Sequence, residues 1–251
     1  MFSNPLLEVI FRGGLGLSST FDEISERIEM QDTWGQGRSG VFGTNRAESW
    51  GDWIPGRSGS MDTYKSGAFF TAENGTVYKA IDDKNSTQTY VDENFDSVFG
   101  TGHALQNDLT ISGGGDNSTY FFSLGHLDQD GMIKNATYER TNARLNYEAK
   151  LNDKITLSSK MAYTFTKSNR IQQSSNVSGL MLGLLRTPPD FDGRDYKGTY
   201  TSSGGTEYVN RGRSYRKPIG QSSNQSYTNP LWTVNEQTSL TKVNRLSLIH
   251  I

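Results

Sequence analysis

Two neighbouring segments of this chain alternate strictly between apolar and polar residues. In Tyr138–Leu151 one set of alternate positions reads Ala143, Leu145, Tyr147, Ala149 and Leu151, and the other reads Asn142, Arg144, Asn146, Glu148 and Lys150. After Asn152-Asp153-Lys154 the pattern resumes, with Ile155, Leu157, Met161, Tyr163 and Phe165 set against Thr156, Ser158, Lys160, Thr164 and Thr166. Period two means a strand with one apolar and one wet face. Strands of soluble proteins usually run about 5–6 residues. These run to about twice that, close to the roughly 9–11 tilted residues that cross a bilayer. The chain otherwise looks water-soluble, with a hydrophobic content of 33% and a mean hydropathy of −0.64. A membrane barrel reconciles the two, because only every second residue of its wall must be apolar.

The pattern extends beyond this pair. Residues 8–24 alternate loosely, with Val9, Phe11, Leu15 and Leu17 in one set and Ile10, Arg12 and Gly14 in the other. Strands are expected at Leu105–Ser112, Thr119–Leu127 and Leu240–Ile251, with a turn of positive-φ-tolerant residues at Gly113–Ser118. Residues 31–102 and 169–239 show no sustained period and read as long loops, with a short strand at Thr76–Ile81. Ser178–Arg186 reads as a short loop helix started by Ser175 or Ser178 and stopped by Pro188-Pro189. It needs something to pack on, such as a lumen wall or a plug surface. Short turns on one side and long loops on the other are the asymmetry of outer-membrane barrels.

Several chemistries find little support. There are no cysteines, so disulfides, thiolate metal sites and a Cys nucleophile are excluded. A net charge of −2 argues against nucleic acid as a partner. Gly35-Gln36-Gly37-Arg38-Ser39-Gly40 fits a dinucleotide fingerprint but lacks the strand before and the helix after that give it meaning. Asp190-Phe191-Asp192-Gly193-Arg194-Asp195 is spaced like part of a calcium loop without its distal Glu; turn chemistry accounts for it, and no cofactor is expected beyond a calcium ion in the loops. His103, His126 and His250 have no ligand spacing. Arg211–Lys217 reads as a solvated basic run, and the sequons at Asn74, Asn85, Asn117, Asn135, Asn176 and Asn224 are weak signals in so Asn-rich a chain. No catalytic constellation appears, so no enzyme is expected. The loops are dense in aromatics, including Trp34, Trp50, Trp53, Tyr196, Tyr227 and Trp232. Aromatic faces beside Asn, Asp and Arg suit sugars; packing within the loops is the plainer reading.

Gln31-Asp32-Thr33-Trp34-Gly35-Gln36-Gly37, Ser49-Trp50-Gly51 and Ser112-Gly113-Gly114 resemble signatures of the SusC/RagA family of TonB-dependent outer-membrane transporters. So do Tyr120–Gly131, Arg140–Asn146, Leu184–Asp190 and Asn229-Pro230-Leu231-Trp232, in family order from about Phe21 to Leu246. The resemblance implies a 22-stranded barrel with an N-terminal plug, in the bacterial outer membrane, energised through the TonB complex. It also implies a SusD-like lipoprotein lid and import of oligosaccharides or peptides.

The expected fold is therefore all-β: a partial antiparallel transmembrane β-barrel with long extracellular loops and one short helix. The N-terminus reads unlike a signal peptide and the last apolar run stops abruptly, so residues 1–251 are expected to be an early-barrel fragment of about six strands. No plug or later strands are expected within it. Asn142, Arg144, Asn146, Glu148 and Lys150 are assigned to the lumen, and Leu145, Tyr147, Leu157, Tyr163 and Phe165 to lipid. Trp34, Trp50, Trp53, Phe191, Arg194 and Tyr196 are candidates for contact with substrate or lid. Two alternatives stay open: a soluble β-sandwich that binds glycans or adheres to surfaces, and a structural outer-membrane barrel without uptake.

Overall fold

The computed structural model describes residues 6–17, 30–221 and 228–250, with only the backbone of residues 6–9, 15–17 and 250. The end of the 8–24 alternation, the sequon at Asn224, Tyr227 and Ile251 lie outside them. The chain divides into two compact units.

The first unit, from the beginning of the chain with residues 101–170 and 239–251, is one antiparallel sheet. Its strands are β1 (Leu6–Leu17), β6 (His103–Gly115), β7 (Ser118–Asp130), β8 (Thr137–Asn152), β9 (Ile155–Asn169) and β12 (Leu240–His250), adjacent in that order. Each expected strand is present and most run longer than the alternation marked. The Gly113–Gly115 stretch corrects the turn expectation. These glycines belong to β6 and none has positive φ; the turn is Asp116-Asn117 alone. Gly114 is required by close approach instead, since a Cβ there would lie 2.7 Å from the Ser118 carbonyl. At the next hairpin the Lys154 amide donates to Asn152 Oδ1 at 2.9 Å, an Asx turn.

Register carries the alternation across the whole sheet. Leu109, Leu124, Ala143, Tyr163 and Leu246 form one transverse row, and Ile111, Phe122, Leu145, Met161 and Leu248 the next but one. Pairing by even steps keeps both rows on one face. The other face carries Thr110, Ser123, Arg144, Ala162 and Ser247 in one row. The long connections, from β1 to β6 and from β9 to β12, leave from the end marked by Leu17, His103, Asn169 and Leu240; the two tight turns close the opposite end. The sheet is open, with β1 and β12 at its edges.

The second unit corrects the view of those connections as loops. Residues 30–100, 171–221 and 228–238 build a domain-like body with its own core. A four-stranded antiparallel sheet runs β11 (Glu207–Gly212), β10 (Lys197–Thr201), β4 (Tyr64–Ala72), β5 (Val77–Ile81); a small hairpin pairs β2 (Gly37–Arg38) with β3 (Val41–Phe42). Helices span Val91–Val98, Leu180–Arg186 and Pro230–Glu236. Phe70, Phe95, Val98, Leu180, Leu184, Leu231 and Val234 are buried. The Leu180–Arg186 helix was expected, and it packs on the Pro230–Glu236 helix. Neither Ser175 nor Ser178 caps it. Ser175 Oγ instead accepts from the amides of Val177 and Ser178 in a turn just upstream.

Candidate functional site

The candidate tryptophans are gathered by backbone pairing within the second unit. Residues 33–37 lie beside residues 48–54: the Gly35 amide donates to the Asp52 carbonyl (3.0 Å), the Gly51 amide to that of Gly35 (3.0 Å) and the Trp50 amide to that of Gly37 (3.2 Å). Trp34 and Trp53 face each other across this pairing. All three rings reach solvent, Trp34 at 39%, Trp53 at 53% and Trp50 at 68% exposure. Gly56 lets Trp53 lie flat, since a Cβ there would stand 2.7 Å from the ring. Ser39, with φ +56°, and Gly40, with φ +78°, form the turn of the β2–β3 hairpin; the G-x-G-x-x-G run is therefore a hairpin, not a nucleotide cradle.

Beneath this pad sits a buried charge cluster that the sequence reading did not find. Arg57, with a side chain 2% exposed, grips Asp52 with two hydrogen bonds, from Nε and Nη2, both 2.7 Å. Its Nη2 also donates to Asp190 Oδ2 at 2.8 Å, and Nη1 to the Ser86 carbonyl at 3.0 Å. Asp190 Oδ1 accepts the Gln36 amide at 3.1 Å, and Gln36 Nε2 donates to the carbonyls of Arg46 and Thr44. Burial pulls the Arg57 pKa down, but the hydrogen bonds and charges of Asp52 and Asp190 outweigh it and the net shift is upward. Gly35 is what admits the cluster: a Cβ there would lie 2.1 Å from Arg57 Nη2 and 2.8 Å from both carboxylates.

The Asp190–Tyr196 stretch behaves differently from the expectation of a contact loop. Phe191 is buried at 8% exposure, with the Arg213 guanidinium 4.8 Å from its ring, so it offers no face to a ligand. Arg213 is itself buried, 3.7 Å from the Tyr78 ring on another side, and burial lowers its pKa. Arg194 is clamped by Asp192, through Nε at 2.9 Å and Nη2 at 2.8 Å, and the hydrogen bonds from that carboxylate raise its pKa. Tyr196 donates to Glu236 Oε1 at 3.0 Å; burial and that bond push its pKa up to about 12. Asp195 accepts from Tyr78 Oη and Asn74 Nδ2. The carboxylates of the calcium-like run are thus engaged by Arg57, Arg194 and Tyr78, each in a different direction. No cluster of potential metal ligands occurs among the described residues. Only Asp190, at the base of the tryptophan pad, joins the two sets of candidates.

Two buried amides, also missed, hold this region from within. Asn94 donates to the Phe191 carbonyl and accepts the Gly193 amide, both at 2.8 Å. Asn229 donates to the carbonyls of Gly193 and Arg213, and its Oδ1 accepts the Leu231 amide as cap of the Pro230–Glu236 helix. Asn followed by Pro is a helix-start signature that was available in the sequence.

In the sheet, the residues assigned to lumen and lipid fall on opposite faces as the alternation requires. Asn142, Arg144, Asn146, Glu148 and Lys150 share one face. Leu145, Tyr147, Leu157, Tyr163 and Phe165 share the other, and the first four of these are about two-fifths exposed. On the apolar face every Asp, Glu, Lys and Arg sits at the long-connection end: Asp128, Asp130, Glu139, Lys167 and Lys242, with Glu139 and Lys167 paired at 3.7 Å. No helix among the described residues is long and apolar enough to cross a membrane.

No family model matches the chain. Two characterised proteins are similar to it in sequence. The TonB-dependent receptor P39 of Formosa agariphila is 32% identical over 101 residues, which is 39% of this chain and 10% of that protein. The TonB-dependent receptor P26 of the same organism is 28% identical over 115 residues, 45% of this chain and 11% of the relative. These matches support the TonB-dependent receptor family for the chain and do not distinguish the SusC/RagA branch within it.

Proposed function

We propose that this chain forms part of the wall and loops of an outer-membrane TonB-dependent importer of the SusC/RagA type. In this reading it takes up oligosaccharides or other large nutrients, works with a SusD-like lipoprotein, and draws energy from the TonB complex. The role is transport, not catalysis. The observation that carries the reading is the charge-free zone of the apolar face. On β8 it runs from Thr141 to Leu151. That is about 34 Å along the strand at roughly 3.4 Å per residue. At a tilt of about 40° it rises about 26 Å across the membrane, close to the roughly 25 Å apolar band of such barrels. The apolar face meets lipid and the polar face meets the lumen. The two tight turns face the periplasm, and Trp34, Trp50 and Trp53 meet substrate or lid.

A soluble β-sandwich requires the same apolar residues to be closed under a second sheet, whereas Leu145, Leu157 and Leu246 are 40%, 42% and 73% exposed. Cell fractionation separates the readings. The polypeptide is expected in the outer membrane, released by detergent only; recovery as a soluble monomer refutes the membrane reading. Uptake is tested by replacing Trp34, Trp50 and Trp53 together with Ala. Loss of oligosaccharide binding with assembly intact is expected, and unchanged binding removes the contact role.

A further inference from the structure

The polar face of the six-stranded sheet carries a one-sided charge. Arg12, Arg140, Arg144, Lys150, Lys160 and Arg245 lie on it by register. Opposed to them are Asp108, Glu148 and, by register, Glu8. None of the six cations takes part in an ion pair with a described residue. In the second unit Arg38, Arg57, Lys65, Lys84, Arg194 and Lys197 do have carboxylate partners. Asp108 is already engaged by Gln106 Nε2 at 2.7 Å.

The strongest part of this field lies on β8 and β9. Arg144 pairs across the ladder with Ser123 and Ala162, and Lys160 lies on the next row beside Asn146. Ser123 and Ala162, the direct cross-strand neighbours of Arg144, are small. Arg140 lies two repeats further along, about 13 Å from Arg144 at the strand rise. The Arg140 Nε is buried without a hydrogen-bond partner. Arg144 and Lys160 are exposed. Their neighbours Asn142, Asn146, Thr110, Ser158 and Thr164 offer amides and hydroxyls, the groups that pair with sugar hydroxyls.

We propose that the polar face binds an acidic oligosaccharide, with Arg140, Arg144 and Lys160 pairing with its carboxylate or sulfate groups. This rests on reading the sheet as the wall of an importer and names the class of its substrate. Guanidinium groups without an ion-pair partner among the described residues can take anionic groups bidentately. The amides and hydroxyls between them favour a polyhydroxylated chain over an acidic peptide.

The test uses the full chain assembled in detergent micelles, with binding followed by calorimetry. The probes are hexagalacturonate, a sulfated hexasaccharide, neutral maltohexaose and a short polyglutamate. Hexagalacturonate, the sulfated sugar or both should bind about tenfold or more tighter than maltohexaose at low salt, which is what one charge-assisted contact contributes. The two acidic sugars show whether carboxylate or sulfate is preferred. The preference should shrink as salt rises. The R140Q/R144Q/K160Q variant should lose it while keeping heat-modifiable migration. Equal binding of neutral and acidic sugars overturns the proposal. So does polyglutamate binding as tightly as the acidic sugars, or a variant that keeps the preference. Failure of the unaltered chain to assemble sinks the wall reading as well, whereas assembled protein without charge preference sinks this proposal alone.

Discussion

The assignment of faces is tested most sharply by moving one arginine among three positions. Leu145 lies near the middle of the charge-free zone, four residues from Thr141 and six from Leu151, in the row with Ile111, Phe122, Met161 and Leu248. An Arg at the midplane of the lipid face costs about 2–4 kcal/mol. Through roughly 1.4 kcal/mol per decade, that is about a 30- to 900-fold loss in the folding equilibrium. Leu105 points to the same face but stands in the row of Asp128, Glu139 and Lys167, at the wet end. Leu105→Arg should cost about 0–1 kcal/mol, as charges near the interface do. Asn146 adjoins Leu145 in sequence but occupies the opposite face, so Asn146→Arg should stay within about 0.5 kcal/mol. The assay is folding into lipid vesicles from urea, read as the fraction that resists SDS until heated. The expected order of destabilisation is Leu145→Arg far above Leu105→Arg, with Asn146→Arg lowest. Equal effects at Leu145 and Leu105 would refute the depth argument. A larger effect at Asn146 than at Leu145 would show that the faces are assigned backwards.

Three further outcomes concern the second unit. Arg57→Met leaves the carboxylates of Asp52 and Asp190 without their cation; breaking such a buried pair costs about 3–5 kcal/mol. Chemical unfolding followed by tryptophan fluorescence should show the loss, and a change under about 1 kcal/mol would mean the cluster is not buried as described. Gly35→Ala drives a methyl group into that same guanidinium, which two carboxylates prevent from moving, and should cost about 1–3 kcal/mol as overpacking does; an unchanged unfolding midpoint counts against the geometry. Asp62 gives a pH dependence. Burial raises its pKa, but hydrogen bonds from Lys84 and from the amides of Ser86 and Asn85 outweigh it, so the folded value is depressed. Its stabilisation is therefore fully present above the ordinary aspartate value of 3.8 and is lost as pH falls through the lower folded one. Asp62→Asn should flatten that part of the acid-unfolding profile, and an unaltered profile contradicts the assignment.

The sheet was legible in the sequence because its physics is local. Each residue of a two-faced strand is apolar or polar according to its own face, so the record repeats every two positions and survives without knowledge of any partner. The observed register agrees with the same alternation, since a one-residue slip would turn Leu145 to the polar face. What was misread there, the Gly113–Gly115 turn, depended on close approach between strands rather than on φ.

The second unit was hidden for the opposite reason. Its helices span eight residues at Val91–Val98 and seven at both Leu180–Arg186 and Pro230–Glu236, too short for a period to accumulate. Even so, Val91, Phe95, Val98 and Phe99 fall at helical spacing, and Phe95, Val98 and Phe99 are buried. Its fold rests on contacts far apart in sequence: Arg57 with Asp190, Asn94 with Gly193, Asn229 with Arg213. A lone Arg and two Asp residues read as solvated charges until the chain is folded. The glycines that make room for them read as turn residues for the same reason. Gly35 has negative φ and is needed for space rather than flexibility, as is Gly51, where a Cβ would lie 2.6 Å from the Gln36 carbonyl. The motif resemblance therefore captured something the local reading could not. In Trp34-Gly35-Gln36-Gly37 and Ser49-Trp50-Gly51, Gly35 and Gln36 are fixed by the charge cluster, Gly51 by close approach to the Gln36 carbonyl and Gly37 by the β2–β3 hairpin, which leaves the tryptophans as the large residues of these motifs that face solvent.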